Sequence, residues 1–129
     1  MQKSEKPEYQ ILVVDDEPSV RRSITMLLEH DRHHVQSVDS GESALAIFEP
    51  GRFDLVMTDY SMHDMNGSQL VALIKERAPG QRIIMATAFA DDLRGFGELT
   101  AQADLVLNKP FSLSDLREAI ASVLAVRLQ

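Results

Sequence analysis

Residues 11–16 are ILVVDD, four apolar residues that stop at a pair of acids. The pattern returns as LVMTD at 55–59, IIMAT at 83–87 and LVLNKP at 105–110, each apolar run ending at a residue suited to phosphate or metal chemistry. HVQSV at 34–38 is the exception and ends only in Asp39 and Ser40. Runs this short and this apolar suit strands of a parallel sheet covered on both faces. In open α/β sheets, ligands bind beyond the carboxyl ends of the strands, where the strand order reverses. Asp15, Asp16, Asp59, Thr87 and Lys109 are therefore expected to converge on one patch.

Between the runs the spacing turns helical. After Asp16, Pro18 suits a first helical turn, and Val20, Ile24, Leu27 and Leu28 recur on one face. Ser40 is placed to cap a short helix carrying Ala44, Leu45, Ile47 and Phe48, which Pro50 and Gly51 end. Gly67 opens a third helix with Leu70, Val71, Leu73 and Ile74 on its buried face, stopped by Pro79-Gly80. A fourth begins at Asp91-Asp92, where Gly95 and Gly97 each cost about 1 kcal/mol of helix propensity. Ser112 and Asp115 resemble a capping box for the last helix, striped by Leu113, Leu116, Ile120, Val123 and Leu124. The tally is (βα)5, an α/β domain over residues 9–127 behind a polar tail at 1–8, with no repeat, linker or second domain.

The bulk properties narrow the function. A chain of 129 residues is one domain by length, and 44% hydrophobic with 26% charged residues is ordinary for a globular protein. A net charge of −7 with 13 scattered basic residues argues against a nucleic-acid surface. There is no cysteine, which excludes disulfides, thiolate metal sites and a cysteine nucleophile. No run approaches membrane-spanning length, so a cytoplasmic protein is expected.

The acids carry the chemistry. Two carboxylates about 4 Å apart repel by about 4 kcal/mol at an effective dielectric near 20. Three stay ionised only with a cation among them; otherwise one takes up a proton. Oxygen donors without His or Cys favour a hard ion, and Mg²⁺ fits a site of few carboxylates that also receives a phosphate. Lys109 supplies a compact positive charge, and Thr87, followed by small Ala88, supplies a hydroxyl donor. A carboxylate such as Asp59 between metal and ammonium can act as a nucleophile and form an acyl phosphate. Taken singly, Asp15 and Asp16 would be helix caps and Asp59 a turn residue. Five such groups at matching strand ends outweigh that reading. Other candidates are bland: His33 and His34 are adjacent and cannot share a metal from one strand, and the six Met residues mostly fill the core.

At these residues the chain resembles a known family. Asp15-Asp16-Glu17, the stretch Asp59-x-x-Met62-x-x-Met65-x-Gly67, Thr87-Ala88 and Lys109-Pro110-Phe111 together resemble a response-regulator receiver domain, from about Tyr9 to Val126. The resemblance implies a flavodoxin-like, doubly wound five-stranded parallel sheet of order 2-1-3-4-5. It implies that Asp59 receives a phosphoryl group from a histidine kinase or histidine phosphotransfer protein. Asp16, Asp59 and the Ser61 carbonyl would ligate Mg²⁺, Asp15 would act mostly through water, and Thr87 and Lys109 would bind the phosphoryl oxygens. The phosphorylated form would signal to a protein target through the fourth helix, fifth strand and fifth helix, as a monomer or weak dimer.

Two positions depart from the family pattern. Val106 stands where receivers usually carry an aromatic switch residue, so residues 90–103 are expected to shift in its place. His63 stands where Pro is usual; it could touch the site, but an exposed loop imidazole is the favoured reading. Three rivals fit less well. A flavin carrier needs a hydroxyl- and glycine-rich phosphate loop where this chain has acids. A metal-dependent phosphohydrolase needs a second Asp two residues after its nucleophile, and neither Asp15 nor Asp59 has one. The nearest rival is a receiver fold serving as a phosphorylation-independent interaction module: the full set of acids, Thr and Lys argues against it, while Val106 lends it a little weight.

Overall fold

Branched apolar residues in runs of four or five are best buried in a ladder whose two faces are both covered. The computed structural model describes residues 7–88 and 102–125, and its strands lie where those runs are. The order is β1 (Gln10–Val14), α1 (Pro18–His30), β2 (His34–Val38), α2 (Gly41–Ile47), β3 (Leu55–Asp59), α3 (Gly67–Arg77), β4 (Ile83–Thr87), β5 (Leu105–Asn108) and α4 (Leu113–Ala125). All neighbours pair parallel in the order β2-β1-β3-β4-β5, the flavodoxin-like arrangement. The helix expected from Asp91 lies outside the described residues, as do nearly all of the 90–103 segment and residues 1–6 of the tail.

Alternation along the strands divides the core in two. Ile11, Val13, Leu55, Met57, Ile84 and Ala86 pack under α1 and α4, against Ile24, Leu28, Leu116 and Ile120. Leu12, Val14, Val56, Ile83 and Met85 face the other way, against Ala44, Phe48, Leu70, Val71 and Ile74. Each such aliphatic side chain contributes roughly 1.5–3 kcal/mol on burial. Leu73 is the exception to the helical stripe: it is 37% exposed, because Leu70, Val71 and Ile74 already fill the buried face of α3. The edge strands β2 and β5 are only partly buried, unlike the three between them.

Local signals fix the helix ends. Ser40 Oγ accepts the Ser43 N–H at 3.0 Å. The Ser112/Asp115 capping box forms as expected, with both bonds at 3.0 Å. An unanticipated second box joins Asn66 and Gln69 ahead of α3. Farther apart in sequence, Arg117 clasps Asp31 through Nε at 2.7 Å and a second guanidinium nitrogen at 2.8 Å, tying α4 to the end of α1. Among the described residues no helix is long and apolar enough to cross a membrane.

At the amino end of the sheet His33 stacks on Tyr9 at 5.5 Å and accepts the Tyr9 N–H on Nδ1 at 3.1 Å. Burial lowers the His33 pKa, and neighbouring His34 adds to this, while Asp31 and Glu8 oppose it. The fold therefore holds His33 neutral. Its contribution should be complete above the unfolded value near 6.5 and should fall away as pH drops below that toward the depressed folded value. Urea midpoints at pH 8 and pH 5 should show a loss for the parent chain. His33→Asn, which can accept the same N–H without titrating, should lose less.

Candidate functional site

Strand register assembles the site. Val14 pairs with Val38 on one side and Thr58 on the other, so Asp15 emerges beside Asp59. Asp59 pairs with Ala86, and Thr87 pairs with Asn108, which sets Lys109 just beyond β5. The Lys109 N–H then donates to the Thr87 carbonyl at 2.9 Å, extending the ladder by one bond. Lys109 Nζ reaches past β4 to Asp59 Oδ1 at 3.1 Å and Asp15 Oδ2 at 3.0 Å. The peptide from Lys109 to Pro110 is cis. Four of the expected residues thus meet: Asp15, Asp16, Asp59 and Lys109. Thr87 is buried at the end of β4, and Ser61 is exposed in the loop after β3.

The acids do not cap α1. Its N-cap is Glu17, with no side-chain cap, and the Glu17 N–H turns back to Asp15 Oδ1 at 2.9 Å. Both oxygens of Asp15, only 2% exposed, are therefore engaged by protein donors. Asp15, Asp16 and Asp59 each offer an oxygen within 4.8 Å of the others. Three carboxylates face one ammonium, and an oxygen-only set of this size suits a hard divalent cation such as Mg²⁺.

The electrostatics agree. Burial pushes the Asp59 pKa above its ordinary value and the Asp15 charge adds to this, while the charge and hydrogen bond of Lys109 pull it down without prevailing. Burial pulls Lys109 down, but hydrogen bonds and charge from Asp15 and Asp59 outweigh it, and the ammonium is held more firmly than usual. Both directions report one condition: the pocket favours additional positive charge.

Three supports were not legible in the sequence. A Cβ on Gly67 would lie 2.5 Å from the Asp59 carbonyl oxygen and 2.9 Å from Tyr60 Cα, so α3 begins directly against the strand end. Arg21 donates to the Asp15 carbonyl at 2.8 Å. Asp64 accepts the amides of Gly41 at 3.2 Å and Glu42 at 2.8 Å, fastening the β3–α3 loop to α2. The Glu42 bond, with that of Gly41, lowers the Asp64 pKa. His63 is exposed, as expected, and also meets Asp16, the site contact that its position left open. Glycine at a helix start and polar loop residues are too common to flag such contacts. Val106, at the expected switch position, is partly buried against the cluster under α2 and α3.

With this geometry in place, similarity to known proteins is informative. The family model for the response regulator receiver domain matches residues 11–121. The response regulator receiver protein CpdR of Brucella abortus is 32% identical over 114 residues, covering 88% of this chain and 95% of CpdR. The response regulator PilR of Pseudomonas aeruginosa is 33% identical over 116 residues, 90% of this chain but 26% of PilR. The chain also spans half of the Mycobacterium tuberculosis regulator TcrX, at 29% identity. A CheY-like receiver domain from Methanospirillum hungatei superposes with a TM-score of 0.84 at 30% identity, covering 95% of this chain and 98% of that one. The Thermotoga maritima response regulator TrrA, solved in complex with Mg²⁺-BeF, gives 0.78 at 30% identity over 88% of this chain and 96% of that one.

Three substitutions test the site's construction. Gly67→Ala should destabilise by about 1–3 kcal/mol through overpacking against immovable backbone. Gly80→Ala, where an added Cβ meets nothing within 4 Å, should be near neutral in the same thermal melts. A carboxyl raised in the fold costs stability wherever it is ionised, above its folded pKa. Asp59→Asn should therefore melt higher than the parent at pH 7 without divalent metal, by roughly 4 °C for each 1 kcal/mol relieved. The two should converge as pH falls below the ordinary carboxylate range.

Proposed function

The chain belongs to the response-regulator receiver family, and from this premise we propose that Asp59 is a phosphoacceptor charged by a phosphohistidine donor. The observation that carries the reading is the Lys109 ammonium set between Asp15 and Asp59 at the joined ends of the strands. In the transfer an Asp59 carboxylate oxygen attacks phosphorus, the donor's P–N bond breaks, and the departing imidazole takes up a proton. The product is an acyl phosphate. Lys109 exchanges part of its contact with Asp59 for the incoming phosphoryl oxygens, and the Thr87 hydroxyl donates to another. Mg²⁺ held by Asp16, Asp59 and the Ser61 carbonyl, with Asp15 acting through water, would supply positive charge against those oxygens. The TrrA complex with Mg²⁺-BeF supports this choice of ion.

The chain is in this reading a carrier whose chemistry is limited to its own phosphorylation and dephosphorylation. The donor is a histidine kinase or histidine phosphotransfer protein. A protein target reads the phosphorylated form on the face that includes β5 and α4, in the cytoplasm. The charge of −7 supports a protein target over direct contact with DNA.

Incubation with phosphoramidate, followed by intact-mass measurement, should add one phosphoryl group in Mg²⁺ and none in EDTA. Asp59→Ala should abolish the adduct. Lys109→Ala should fold but label or transmit the signal roughly 100-fold less effectively, the loss typical of a preorganised charge-stabilising group. Equal labelling in EDTA, or an adduct that survives Asp59→Ala, contradicts the assignment.

A further inference from the structure

Two groups of one residue meet a single carboxylate oxygen. The His63 backbone N–H donates to Asp16 Oδ2 at 3.0 Å, and His63 Nδ1 meets the same oxygen. The imidazole is 90% exposed and the Asp16 side chain 18%, so the contact runs from solvent down to a site carboxylate. The ring nitrogen is not one of the clustered donor atoms, which come from Asp15, Asp16 and Asp59. His63 therefore acts on a ligand and is not one itself. Among the described residues Asp16 Oδ1 carries no hydrogen bond, so the carboxylate has one oxygen occupied and one available.

We propose that His63 is a positioning residue that sets the ion preference of the site by holding Asp16 to one-oxygen coordination. The inference rests on the metal-binding reading of the three acids and deepens it. Mg²⁺ takes a near-octahedral shell at about 2.0–2.1 Å, for which single carboxylate oxygens are suitable ligands. Ca²⁺ takes roughly 6–8 oxygens at about 2.3–2.6 Å and commonly draws two from one carboxylate. To chelate Ca²⁺, Asp16 must release Oδ2 from the His63 backbone N–H and from its imidazole contact, whereas one-oxygen binding of Mg²⁺ leaves both in place. The discrimination comes from a residue outside the coordination shell, as hydrogen bonds to ligating carboxylates commonly tune such sites.

Mg²⁺ and Ca²⁺ dissociation constants, measured by isothermal titration at one pH on the 129-residue chain, test this. His63→Pro removes both contacts, His63→Ala only that of the ring, and His63→Asn places an amide close to where Nδ1 lies. Partners of ligating groups commonly change affinity by ~10–100-fold, and an exposed ring belongs at the low end. The preference for Mg²⁺ over Ca²⁺ should fall ~10-fold in His63→Pro and ~3-fold in His63→Ala, and return to within ~2-fold of the parent in His63→Asn. A merely structural role would weaken both ions together and leave the ratio unchanged, which overturns the proposal. Metal-free melts establish that each variant folds, and the Ala and Asn pair carries the test if the Pro variant does not. No Mg²⁺ binding by the parent chain overturns the metal site itself; Mg²⁺ binding with an unchanged ratio removes only the role of His63.

Discussion

The ammonium of Lys109 holds the functional end of this molecule together. It leaves the end of edge strand β5, passes β4 and lies between carboxylates that follow β1 and terminate β3. Without it, Asp15 and Asp59 would face each other partly out of water with nothing between them, and the strand ends would gain by separating. With it, the ends are bound by charge as well as by the ladder. The compensation is partial, since Asp16 adds a third acid and Asp59 keeps a raised pKa. A site left short of positive charge is receptive to a cation.

The sheet was legible because its residues carry the information locally. An apolar run such as ILVV admits few structures, and a polar residue at the end of each run marks the same edge of the sheet. Capping residues such as Ser40 and Ser112 likewise announce helix starts within three residues. Most supports around the acids were not legible, because no local pattern encodes them. His63 meets Asp16 across 47 positions and Gly41 meets Asp64 across 23. No periodicity encodes such pairings. Gly67 shows the limit well: its place before a helix was evident, whereas the reason for glycine there is the backbone of Asp59 and Tyr60 lying against it. Leu73 illustrates the converse, an apolar residue whose angular position, not its hydrophobicity, decides its exposure.

The loop from Tyr60 to Asn66 is a fastened element. The Gly67 N–H bonds the Tyr60 carbonyl at 2.7 Å and closes its base, Asp64 binds the first amides of α2, and His63 binds Asp16. Events at Asp59 are thus linked to α2 by one carboxylate and to the β1–α1 turn by one histidine. Such a loop can pass on a change in charge through few, identifiable contacts.

The clasp between Arg117 and Asp31 spans 86 positions, and it has a consequence for how the chain folds during synthesis. The helix that Asp31 caps emerges early, with Ile24 and Leu28 on a stripe that α4 helps to cover. Until Leu116 and Ile120 leave the ribosome, that stripe and one face of β1 lack part of their cover. Lys109 also arrives late, so the acids at the ends of β1 and β3 remain uncompensated through the same interval. A chain stalled before Lys109 and α4 are made therefore combines exposed hydrophobic surface with a repulsive strand end, the condition in which partly made proteins associate with one another or with chaperones.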